Sequence, residues 1–75
     1  MNRKANGASI AAIRKALGIQ QMSLAGRVGI DKSYMSLIES GGRLPQPDVL
    51  RRIADELGVP VDAISYPVPV PEEVA

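Results

Sequence analysis

The chain has 75 residues, enough for one small domain whose core must be efficient. It has no cysteine and no histidine, so disulfides, thiolate metal sites and Ser–His or Cys–His nucleophile pairs are excluded, and no cofactor is expected. The net charge of +1 conceals a division: residues 1–43 hold seven basic against two acidic side chains (+5), and residues 44–75 hold two against six (−4). One half is ready for a polyanion and the other is not.

Phe and Trp are also absent, so the core must be built from Ile, Leu, Val, Ala and Met, a palette suited to small packed helices. Residues 1–7 read as a flexible arm. Its Arg3 and Lys4 are followed by no apolar run, so it is not a secretory signal, and no stretch approaches the ~18 apolar residues of a membrane span. A cytoplasmic protein is expected. Four helices are marked by Gly18, Gly29, Gly41 and Gly58, each after a periodic stretch and each suited to a left-handed helix end. The first carries Ile10, Ile13 and Leu17 on one face, the second Leu24, Ala25 and Val28, the third Met35 and Ile38. The fourth, with Val49, Leu50, Ile53, Ala54 and Leu57, is the clearest amphipathic pattern. Asp31 is expected to cap the third helix and Pro47 to open the fourth. Val61 to Ile64 would make a short fifth turn. No strand pattern is visible. Residues 66–75 read as an extended tail, since Pro67-Val-Pro-Val-Pro71 cannot be helical.

The informative stretch is Gln21 to Glu39. Two short helices crossing steeply need a tiny residue where their backbones approach, which Ala25 supplies, and a turn residue tolerant of positive φ, which Gly29 supplies. Leu24, Val28, Ile30, Met35 and Ile38 seal the inside corner. Lys32, Ser33, Ser36 and Leu37 are left facing outward; they are short or basic and suit close approach to a DNA major groove. Leu37 lies about 200° around the helix from Met35 and about 100° from Ile38, so it is expected outside the core. Met22 and Met35 read as core filler. Arg51 and Arg52 read as solubilising charges. Tyr34 suits either a sugar-phosphate contact or a bracing role.

These residues, with Ile10, Arg14, Pro45 and the run Leu50-Arg-Arg-Ile53-Ala54-Asp-Glu-Leu57-Gly58-Val59, resemble the Cro/C1-type helix-turn-helix family over about residues 8–65. The resemblance implies an all-α, compact five-helix domain of the lambda-repressor type, with the third helix in the major groove. It implies that Gln21 contacts a phosphate, that Lys32 and Ser33 reach base edges or nearby phosphates, that Ser36 and Leu37 lie one turn further toward the groove, and that Arg43 touches the sugar-phosphate backbone. It also pairs Arg14 with Glu39. The implied function is a non-enzymatic, sequence-specific transcriptional regulator, a repressor acting as a homodimer on a short two-fold symmetric double-stranded operator. The family's other use is as an antitoxin-like module that binds a protein partner and autoregulates its operon. Three positions depart from the pattern: Gln20 replaces the usual Ser or Thr cap, Leu37 stands where a polar reader is common, and Pro60 replaces the usual Ser before the last helix.

Overall fold

Four α-helices follow in the order the glycines mark: α1 Gly7–Ala16, α2 Gln21–Val28, α3 Lys32–Ser40 and α4 Pro47–Leu57. The computed structural model describes residues 3–68. Gly18, Gly29, Gly41 and Gly58 all take positive φ, between 70° and 85°, where a side chain would be strained. Asn6 caps α1 by accepting the Ser9 N–H on its side-chain oxygen at 3.1 Å. Pro47 opens α4 as expected. Asp31 does stand at the N-cap of α3, but its exposed side chain makes no capping bond. The position contributes its backbone carbonyl, which accepts from Met35 N–H at 3.0 Å.

The core is drawn from the periodic stripes, with Ile64 added from the turn after α4. Ile10, Leu24, Ala25, Val28, Met35, Ile38, Leu50, Ile53, Ala54, Leu57 and Ile64 form one buried cluster, with Ile13, Ile30, Tyr34 and Val49 packed on its margin. Two expectations fail. Leu17 is 54% exposed, because α1 ends at Ala16 and the chain turns away at Gly18 before the apolar stripe reaches Leu17. Met22 is 62% exposed; it sits about 160° around α2 from Leu24, away from the face that meets the core.

The expected fifth helix is a single 3₁₀ turn, Val61–Ile64, so the described residues form four α-helices and not five. Pro60 sets its start, and at Ser65 the backbone becomes extended, φ −152° and ψ 168°. Buried Ile64 anchors the turn.

The chain then does something its sequence pattern did not announce. Ser65–Pro67 (β2) pairs antiparallel with Arg3–Ala5 (β1), in the register Arg3↔Pro67, Lys4↔Tyr66, Ala5↔Ser65. Asn6 N–H extends the ladder to the Ile64 carbonyl at 2.8 Å. Arg3 reinforces it, donating from Nε to Ser65 Oγ at 2.7 Å, while Ser65 Oγ donates to the Val61 carbonyl at 2.6 Å. The segment read as a flexible arm is therefore held at residues 3–5, and its last residue, Gly7, opens α1. Tyr66 and Pro67, the first residues of the expected tail, belong to β2; residues 69–75, with most of the Pro-Val repeat, lie outside the described residues.

Gly7 has a packing reason. A Cβ built there would collide with the carbonyl oxygen of Ile38 and come within 2.6 Å of that of Glu39. The first turn of α1 thus lies directly on the end of α3, at a distance only glycine permits.

Candidate nucleic-acid interface

The α2–α3 pair is set by its corner. Gly29 turns the chain at φ 85°, and both Gly29 and Ile30 donate their N–H groups to the Ala25 carbonyl, at 2.9 and 3.0 Å. Ala25 itself is buried at the crossing. Arg52 closes the end of α2 from the other side, donating to the Val28 carbonyl at 3.3 Å. Its place on the polar face of α4 suggests mainly a solubilising role for Arg52. Its partner is the end of a helix distant in sequence, which no local pattern discloses.

With its apolar face turned inward, α3 presents Lys32, Ser33, Ser36 and Leu37 outward, all exposed. Together with Gln21, at the first position of α2, these residues line one open concavity. The arrangement brings together five of the six residues singled out from the sequence. The sixth, Arg43, is exposed on the connection after α3, outside that lining. Tyr34 is half-buried against the core, the bracing position of its two readings.

The floor of this surface is tied by one charged cluster. Arg14 donates to Glu39 from Nε at 2.7 Å and from Nη2 at 3.0 Å, and its Nη1 reaches the Ile19 carbonyl at 2.8 Å. Both side chains are nearly buried, 10% and 7% exposed. Gln21 adds its amide N–H to Glu39 Oε1 at 3.0 Å. One guanidinium and one carboxylate thereby fix α1, the loop after it, the start of α2 and the end of α3. The Gln21 amide keeps a second N–H, and the first turn of α2 has backbone N–H groups that the Gln20 side chain does not cap. Both are donors of the kind a phosphate accepts.

The electrostatics run the same way. Neither α2 nor α3 has an acidic residue in its first turn, and α3 begins with Lys32. A cation there opposes the helix dipole, worth ~0.3–1 kcal/mol at an exposed site, with no partner among the described ion pairs to offset it. The start of α2, free of acidic side chains, and Lys32 on the same concave face suit an anionic ligand, although Asp31 at the N-cap of α3 places one carboxylate beside Lys32.

A helical pair with a glycine corner, an outward face of short and basic side chains, and donor-rich helix starts beside it define a DNA-binding helix-turn-helix module. The helix-turn-helix family model matches residues 10–64. The chain belongs to this family, of the Cro/C1 type. It is similar to a Bacillus subtilis (strain 168) protein described as the uncharacterized HTH-type transcriptional regulator YazB, at 36% identity over 61 residues, 81% of this chain and 88% of that one. Among solved structures it resembles the restriction-modification controller protein C.AhdI from Aeromonas hydrophila, with a TM-score of 0.73, 28% identity and coverage of 76% and 86% of the two chains. It likewise resembles the c2 repressor of phage P22 in complex with a synthetic operator, with a TM-score of 0.73, 29% identity and coverage of 77% and 88%.

Proposed function

We propose that this chain is a sequence-specific transcriptional regulator, a repressor that lays α3 into the major groove of a short operator. The observation that carries the reading is the concavity shared by Gln21, Lys32, Ser33, Ser36 and Leu37 on the outer face of the α2–α3 pair. The structural likeness to a repressor solved with its operator points the same way. In this reading Gln21 and Arg43 hold phosphates and set the register, while Lys32, Ser33, Ser36 and Leu37 approach the base edges. The protein binds and blocks; it performs no chemistry on the DNA.

A single module of this size covers roughly 600–1,000 Å² of its own surface on DNA, too little for tight specific binding. A cytoplasmic homodimer on a two-fold related site supplies the second half. Selection of bound duplexes from a random library tests the whole reading. It should return a short site with two-fold symmetry, bound with a steep loss of affinity on raising salt. Recovery of unselected sequence would overturn it.

A further inference from the structure

Leu37 is an apolar side chain, 45% exposed, among Lys32, Ser33 and Ser36 on the same concave surface. It is not loosely placed. Its backbone carbonyl accepts from Gly42 N–H at 2.8 Å, from Ser40 Oγ at 3.1 Å and from Arg43 N–H at 3.3 Å, so the end of α3 folds back onto this one residue. Its side chain leans on the same turn. A Cβ built at Gly42 would stand 3.3 Å from Leu37 Cδ2, closer than the two groups pack comfortably. Gly42 therefore forms a seat for one Leu37 methyl, and the rest of the side chain remains exposed on the concavity.

A leucine there neither donates nor accepts. Among the groups that base pairs display in the major groove, the C5-methyl of thymine is the apolar one, and 5-methylcytosine carries the same methyl on the same carbon. The neighbouring serines and Lys32 already supply hydrogen-bonding groups. We infer that Leu37, seated by Gly42, reads the C5-methyl of one pyrimidine in each half-site of the operator. This rests on the DNA-binding reading above and adds to it the chemical group read at one position.

The test uses the full chain and the duplex returned by selection. Each thymine is replaced in turn by uracil, which removes the methyl and nothing else. At one thymine per half-site the parent should lose about fourfold in affinity, the equivalent of ~0.8 kcal/mol for one buried methyl group. At that same position 5-methylcytosine should bind about fourfold better than cytosine, which separates the methyl from the rest of the base. In Leu37→Ala, whose folding is checked by its melting temperature, both ratios should fall to near one. Gly42→Ala, which lies off the concavity's lining, should lower them by displacing Leu37. A chain that selects no site overturns the regulator reading and this inference together. A chain that selects a site but binds thymine and uracil equally at every position, or keeps the ratio in Leu37→Ala, overturns the inference alone.

Discussion

Arg14 and Glu39 stand 25 residues apart in the sequence and meet as a two-point ion pair at the junction of three helices. The pair carries a third hydrogen bond from Gln21, so the same carboxylate that locks the fold also orients a residue of the proposed phosphate contact.

Removing one member should therefore be costly. Arg14→Met leaves Glu39 buried without its counter-charge, at a cost of ~3–5 kcal/mol, a large part of what a domain of this size possesses. The double variant Arg14→Met with Glu39→Leu removes both charges and should recover most of that loss in urea melts. Single and double variants of equal stability would mean that the pair does not act as a unit.

Two helical glycines should respond to alanine with opposite signs. Gly26 is exposed on α2 and nothing lies within 4 Å of where its Cβ would stand, so Gly26→Ala should stabilise by ~0.5–1 kcal/mol through helix propensity alone. Gly7 is also helical, but its added methyl meets the carbonyl ends of α3, and overpacking of ~1–3 kcal/mol outweighs the propensity gain. Thermal melts of the two variants settle the matter, and a stabilised Gly7→Ala would remove the close approach of α1 to α3.

The apolar residues divide as cleanly. Leu24→Ala and Ile53→Ala empty fully buried sites and should each lose ~2–5 kcal/mol. Leu17→Ala and Met22→Ala, on exposed side chains, should stay within ~0.5 kcal/mol of the parent. Ala25→Leu should separate α2 from α3, losing fold and DNA binding at once. A fully binding Ala25→Leu protein would be incompatible with this corner.

On DNA, charge and position should be separable. Arg43→Ala should weaken binding to all duplexes by a similar factor and reduce the salt slope by about one unit. Gln21→Ala, neutral, should weaken binding while leaving the slope nearly unchanged. Identical slopes for the parent and Arg43→Ala would remove Arg43 from the phosphate contacts.

What the sequence disclosed was whatever is decided locally. A glycine after a periodic stretch ends a helix because the left-handed turn needs no distant partner, so Gly18, Gly29, Gly41 and Gly58 were all legible. The outward position of Leu37 followed from helix geometry relative to Met35 and Ile38. The Arg14–Glu39 pair came from the family pattern and has the expected partners. What stayed hidden depends on elements far apart in sequence. Strands β1 and β2 are three residues each, too short to alternate visibly, and each exists because the other is there. The close contact of Gly7 with α3 and of Arg52 with α2 likewise arises only once the helices are assembled. Leu17 is misplaced because an apolar stripe indicates a face without saying how far along the helix that face is covered, and Met22 because its residue type suggests the core while helix geometry sets it opposite Leu24.

The β1–β2 ladder makes the described chain a ring with one link missing. Arg3 and Pro67 are paired neighbours, and the Asn6–Ile64 hydrogen bond closes the circuit immediately inside them. In a ring the order of the helices is only a choice of where to cut. A short linker from residue 68 back to residue 3, with a new opening at an exposed turn such as Gly18, should give a permuted protein that starts at α2 and presents the same α3 surface. Closing the ring without a new opening should strip the unfolded chain of freedom worth about 4 kcal/mol on the loop-entropy scale. Anything attached at residue 3 and anything attached at residue 67 would leave the domain side by side.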